Sequence, residues 1–179
     1  MRERITALHG EKTMRISAVR SEAGPGVFRK VLAGKGYRTI LEIGTYRGCA
    51  AAEMAQYCDK VITIDLKFGA IERRGGKFDR VAFWRSLGVN NIELHLVDND
   101  VEKVALVNGL DFDFAFVDGG HDANSVRTDF ALVKRCGHVL LHDYSPPGEV
   151  PNWVYEFINT LPKEQIEVTD IFAMWTAPA

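Results

Sequence analysis

The chain has 179 residues, 46% of them hydrophobic, which is enough apolar material for one well-buried domain and short for two. A net charge of −2 gives no global attraction to nucleic acid or to an anionic membrane, so neither is an expected partner and a small molecule is the expected ligand. Three cysteines (Cys49, Cys58, Cys136) without a C-x-x-C pair, no run of 18 apolar residues and no apolar core after Met1-Arg-Glu-Arg predict a soluble, cytoplasmic protein without disulfides or structural zinc.

Residues 1–26 read as an appendage with scattered apolar positions, and the Gly24-Pro25-Gly26 break separates it from a single domain over residues 27–179. Val27, Val31 and Leu32 give a short helical face that ends at Gly34 and Gly36. Ile40, Leu41 and Ile43 predict a buried strand running into a turn at Gly44 and Gly48, and four alanines between 50 and 55 favour a helix that can lie close to a sheet. Further strands are predicted at 61–66, 92–97, 112–117 and from 139, with helices at 78–87, at 101–107 and around Val126, Phe130 and Val133. Trp153, Phe157, Ile158 and Leu161 mark a last amphipathic helix, and 166–168 with 170–175 read as an antiparallel hairpin. Alternation of strand and helix implies an α/β fold, a mostly parallel twisted sheet with helices on both faces and its ligand crevice at the carboxyl ends of the strands.

The turn at Gly44 and Gly48 and the acid Asp65, which ends the next strand 21 residues after Gly44, have the layout of a nucleotide-type cofactor site. A dinucleotide fingerprint requires G-x-G-x-x-G, whereas here Thr45, Tyr46 and Arg47 separate the glycines and Glu42 precedes the turn. An acid in that place disfavours phosphates and suits a cationic ligand. On this reading Gly44→Val is expected to damage binding more than folding, provided the strand still forms.

Glu42-x-Gly44-x-x-x-Gly48 with Asp65 resembles the first two motifs of class I S-adenosylmethionine (SAM) dependent methyltransferases. Phe116-Val-Asp-Gly-Gly-His121 and Leu140-Leu-His-Asp-Tyr144 look like the fourth and fifth strands of the small O-methyltransferase branch, which includes macrocin-type and catechol-type enzymes. The similarity spans roughly residues 25–176. It implies the Rossmann-like class I methyltransferase fold, with an antiparallel strand inserted beside the fifth. It also implies SAM as cofactor, held by Glu42, Gly44, Thr45, Tyr46, Gly48, Asp65, Leu66, Asp98, Asn99, Asp118 and His121. Asp65 would hold ribose hydroxyls, and Asn99 either contacts adenine or belongs to an Asx turn that caps the next helix, with Asp100 as a plain N-cap. Many relatives carry glycine where Tyr46 stands, so a ring must be accommodated beside the cofactor.

Asp118 and Asp143 fall at the mouths of adjacent strands, where a spacing of roughly 5 Å brings two carboxylates within reach of one hard cation. The resemblance implies magnesium on Asp118 and Asp143, with His142 a weaker ligand because imidazole suits magnesium poorly. The alternative is that both aspartates close turns and cap helices. His121 is either a base or a cofactor contact, Asp122 stands next to it, and the Arg73 to Lys77 run reads as a solvated loop. The expected activity is methyl transfer to a small-molecule hydroxyl, with His121, Asp118 and Asp143 as the catalytic set and a second copy of the chain as a candidate partner. Two other readings stand beside it, a SAM-binding module without turnover and a nicotinamide-binding oxidoreductase. The second is disfavoured by Tyr46 and by the lack of a Tyr-x-x-x-Lys pair.

Overall fold

A computed structural model describes residues 3, 23–69, 71 and 77–178. In chain order its main elements are α1 (Ala23–Leu32), β1 (Thr39–Ile43), α2 (Cys49–Met54), β2 (Lys60–Leu66), α3 (Arg80–Ser86), β3 (Ile92–Val97), α4 (Asp100–Asn108), β4 (Phe114–Val117), α5 (Ala123–Val133), β5 (His138–Leu141), α6 (Trp153–Ile158), β6 (Ile166–Thr169) and β7 (Phe172–Thr176). The strands join in the order β3-β2-β1-β4-β5-β7-β6. The pairs among β1 to β5 are parallel, and β7 alone runs against its neighbours β5 and β6. This is the expected Rossmann-like arrangement, including the reversed strand beside the fifth.

Chain order reverses direction at β1, with β2 and β3 on one side and β4 and β5 on the other, and helices diverge there to open a crevice above the strand ends. The central strands are buried along nearly their whole length because both faces are covered. Ile40, Val61, Phe114 and Phe116 pack on one face with α1, α2 and α3, while Leu41, Ile43, Ile62 and Val117 pack on the other with α4, α5 and α6. The alanines of α2 are all buried, so that helix lies close against the sheet. Phe28 of α1 meets the rings of Phe116 and Phe172 edge-on at 5.1 and 5.7 Å, which locks α1 onto the first face.

One expectation is corrected here. Gly24-Pro25-Gly26 is not a break before the helix but lies within α1, which starts at Ala23. Proline is compatible with the first turn of a helix, where the N–H it lacks has no intrahelical acceptor. The rest of the predicted appendage up to residue 22, apart from Glu3, lies outside the described residues, as does 73–76 of the arginine-rich loop. The fourth strand is also shorter than expected, because Asp113 just before it accepts the N–H groups of Arg38 and Thr39 at 2.8 and 2.9 Å and ties the start of β1 in place. No helix among the described residues is long and apolar enough to cross a membrane.

Candidate active site

The strand ends enclose a cleft of about 630 Å³. Glu42, Gly44, Thr45, Tyr46, Gly48, Asp65, Leu66, Asp118, His121, His142 and Asp143 all line it, so the sheet topology brings together residues that lie up to 101 positions apart. Asp98 and Asn99 are not among the lining residues. Asn99 is the N-cap of α4, its side chain accepting the Glu102 N–H at 3.0 Å, and Asp98 pairs with Lys67 at 2.7 Å on the surface. Of the two readings of Asn99, the cap is the one its side chain makes here, and Asn99 takes the place given to Asp100 as N-cap. The wall on that side is built instead by Val97, Asp100 and Lys103.

The glycine turn is fixed by close approaches within the chain itself. Gly44 has φ 96°, and a Cβ there would stand 2.0 Å from the Asp118 carbonyl oxygen. The missing side chain therefore lets the end of β1 touch the end of β4, so the condition on which Gly44→Val would harm binding more than folding, that the strand still forms, is not met. Gly48 has φ 74° and its carbonyl accepts the Trp84 indole N–H at 2.8 Å. Between them Tyr46 is left-handed at φ 45°, a conformation that costs free energy in a non-glycine residue. It is held from both sides, its N–H bonded to Asp65 Oδ2 at 3.0 Å and its carbonyl accepting from Arg80 Nε.

Arg80 is a residue that motif reading missed. Its guanidinium is nearly buried and also reaches Asp65 Oδ2 at 3.1 Å, so one side chain ties the glycine turn to the strand-end acid. No local pattern announces it, because a cation 15 residues after an acid on another element has no sequence signature. Glu42 also differs from its expected part as an open charge beside the turn. It is fully buried, opposite Thr63 in the β1–β2 register, and its Oε2 accepts from the Thr63 hydroxyl, which contacts the Thr45 hydroxyl at 2.6 Å. Burial pushes the Glu42 carboxyl well above the usual range, the Thr63 hydrogen bond opposes this, and the charge of Asp118 adds to the rise. Its neutral form is thereby favoured.

At the other end of the cleft the ends of β4 and β5, in register at Val117 and Leu141, set two aspartates beside an imidazole. His142 Nδ1 lies 3.0 Å from Asp118 Oδ1 and 3.1 Å from Asp143 Oδ1. His121 Nε2 stands 3.3 Å from Asp143 Oδ2 and 3.8 Å from Asp118 Oδ1. Asp143 is left-handed at φ 62°, and Asn152 holds this turn by donating to its carbonyl at 2.8 Å. Asp118, His142 and Asp143 offer three ligand atoms within 4.8 Å of one another, a spacing one cation can bridge. Asp122, by contrast, is taken up as the N-cap of α5.

Burial works against a charged His142, but the carboxylates of Asp118 and Asp143 outweigh it and raise its pKa to about 9. A pKa that is higher in the folded than in the unfolded chain contributes stability that is complete below about pH 6.5 and is lost as pH rises through about 9. Metal-free protein is therefore expected to lose about 3 kcal/mol of unfolding free energy between pH 6 and pH 9.5 from this group. Urea unfolding of the wild type and of His142→Gln measures it. Parallel pH profiles for the two proteins would show that the ring carries no such charge.

Residues 41–144 match a family profile described as a methyltransferase domain. A search of curated proteins finds no match. Among solved structures the fold resembles cofactor-bound Rv0187 from MTB at TM-score 0.68 and 15% identity, covering 96% of this chain and 93% of that one. The O-methyltransferase from Bacillus cereus in complex with SAH is similar at TM-score 0.66 and 15% identity, over 98% of this chain and 96% of that one. The O-methyltransferase TomG from Streptomyces achromogenes, in complex with SAM, also gives TM-score 0.66 and 15% identity, over 98% and 94%. Likeness at these identities establishes the shared fold.

Proposed function

The chain belongs to the methyltransferase domain family, and from that premise we propose that it transfers a methyl group from SAM to a hydroxyl oxygen of a small molecule, assisted by a divalent cation. The observation that carries this reading is one cleft holding the glycine turn of β1, the acid at the end of β2 and the Asp118, His142 and Asp143 cluster. The structures similar to it include two O-methyltransferases described as complexes with SAH and SAM, which supports the choice of cofactor and of oxygen as acceptor.

The residues present fit SAM. The cleft volume of about 630 Å³ lies in the range of ligand pockets, and its polar wall is acidic at Asp65, Asp118 and Asp143, as suits a sulfonium and not a pyrophosphate. When bound, SAM supplies a methyl group open to in-line displacement. Asp65, fixed by Arg80 and by the Tyr46 N–H, is placed to accept from ribose hydroxyls. A divalent cation fits Asp118 and Asp143 with His142 beside them, and would supply Lewis acidity that lowers the pKa of the substrate hydroxyl. His121 is the exposed imidazole of the cluster and would take the hydroxyl proton at Nδ1, with Nε2–H directed at Asp143 Oδ2 across 3.3 Å, where the carboxylate stabilises the resulting charge.

Calorimetric titration with SAH and with NAD tests the cofactor, with SAH expected to bind and NAD not. Asp65→Ala should weaken SAH by about 1.5–3 kcal/mol, the worth of hydrogen bonds to a charged acceptor. Unchanged affinity in that variant would remove Asp65 from the site. Mass spectrometry of products from phenolic and alcoholic acceptors tests the oxygen, and methyl groups found on nitrogen alone would overturn it. Activity indifferent to EDTA would remove the cation from the mechanism.

A further inference from the structure

We propose that the cation held by this cluster is a nitrogen-accepting first-row transition ion, such as Mn(II), Co(II) or Zn(II), with His142 Nδ1 as a direct ligand, and is not magnesium. The inference rests on the methyltransferase reading of the same site and names the ion that reading leaves open.

Three distances carry it. His142 Nδ1 lies 3.0 Å from Asp118 Oδ1 and 3.1 Å from Asp143 Oδ1, and all three ligand atoms lie within 4.8 Å of one another. Bonds of about 2.1 Å at right angles around one ion put neighbouring ligand atoms about 3.0 Å apart. The two contacts to the ring nitrogen have that spacing. An ion that shares both carboxylates therefore meets Nδ1 as its third ligand unless the ring swings away.

Packing restrains the ring. His142 is 7% exposed, its backbone N–H is bonded to the Val117 carbonyl at 3.1 Å, and the rings of Phe172 and Phe116 stand 4.9 and 6.3 Å from it. Its Nε2 is buried with no hydrogen-bond partner among the described residues, so the ring plane is held by this packing and by the Nδ1 contacts alone. A buried imidazole whose one engaged nitrogen faces two carboxylates becomes a mixed N/O donor set once an ion displaces the proton that Nδ1 shares with them. Magnesium favours an octahedron of oxygens and keeps several of its waters, whereas imidazole binds the later first-row ions well, with affinity rising from manganese to copper and lower again at zinc. The fixed ring thus occupies a coordination position that magnesium would fill with oxygen.

The test uses full-length protein stripped with EDTA, then titrated calorimetrically with Mn(II) and with Mg(II), and pulsed electron paramagnetic resonance of the Mn(II)-loaded protein. Expected are one tightly bound Mn(II) per chain, a preference over Mg(II) of at least about 100-fold, and a nitrogen coupling from a bound imidazole. In His142→Asn the nitrogen coupling should vanish and the preference should shrink at least about 10-fold, while His121→Ala should keep the coupling. If His142→Asn does not fold, His142→Gln serves in its place, and the wild-type resonance spectrum decides independently. Mg(II) binding as tightly as Mn(II), Mn(II) bound without nitrogen coupling, or no stoichiometric ion at all would each overturn the proposal. SAH titration of the same preparations separates the two levels. Retained SAH binding with a failed metal arm removes this inference alone, whereas lost SAH binding in the wild type removes the methyltransferase reading beneath it.

Discussion

Gly44→Val is expected to destabilise the fold severely. A side chain at this position would bring its Cβ to 2.0 Å from the Asp118 carbonyl oxygen, 2.5 Å from the Asp118 carbonyl carbon and 2.8 Å from the Gly119 nitrogen, all of them backbone atoms. Neither side can yield without breaking the sheet, because the Gly44 N–H is bonded to the Ile64 carbonyl at 2.9 Å and the Asp118 N–H to the Ile43 carbonyl at 2.8 Å. A φ of 96° adds strain that a β-branched residue tolerates worst. Overpacking and backbone strain each cost about 1–3 kcal/mol where neighbours can relax, and here they cannot, so a loss above about 4 kcal/mol is expected from a domain with about 5–15 in hand. Gly48→Ala should cost less, since its Cβ meets the Trp84 side chain at 2.6 Å and no backbone atom, although φ 74° strains it and the buried ring is held by its N–H on the Gly48 carbonyl. Far-UV circular dichroism and urea unfolding of the two variants measure the difference. A Gly44→Val protein with a wild-type midpoint would mean that the ends of β1 and β4 are not in contact.

Apolar patterning carried most of the fold. The β1, β4 and β5 runs have no exposed face in the structure, which is what continuous apolar segments bounded by glycines and acids indicate in a parallel sheet. The same rule could have placed Glu42 more accurately. An acid inside a strand covered on both faces must be buried, so its carboxyl belongs to a hydrogen-bonded interior and not to an open electrostatic trap. Gly24-Pro25-Gly26 misled because local propensity is weak beside tertiary packing, and α1 is held by Val27 and Phe28 buried against the sheet. The cap at Asn99 was legible as one of two readings, since N-caps obey a local rule. Arg80 and the Lys103 to Asp129 pair were not legible at all. Each links elements that meet only after the sheet has formed, and a single sequence carries no spacing rule for such partners.

That buried pair sets up the second large effect, at the floor of the cleft. Lys103 of α4 is 8% exposed and donates to Asp129 Oδ1 of the fully buried Asp129 of α5 at 2.5 Å, and it also reaches Asp100 at 2.8 Å. Asp129 Oδ2 has no partner among the described residues, so Lys103 supplies the hydrogen bond that compensates its burial. Lys103→Met keeps the length of the side chain and removes the cation, leaving a carboxylate in the interior between two helices. The expected loss is about 3–5 kcal/mol, while Lys103→Met with Asp129→Leu should recover most of it, since apolar replacement of a buried pair is often neutral. The pH dependence has a definite sign. Burial already holds the Asp129 carboxyl above its usual range against the pull of Lys103, and without Lys103 it must rise further. Stability tied to a carboxyl with a raised folded-state pKa is complete below the unfolded value of about 4 and falls as pH climbs through the folded one, so the single variant should be worse at pH 7.5 than at pH 5. Urea unfolding at both pH values checks this. A single variant within about 1 kcal/mol of the wild type, or a double variant no better than the single one, would mean that water reaches Asp129 and that the cleft floor between α4 and α5 is open.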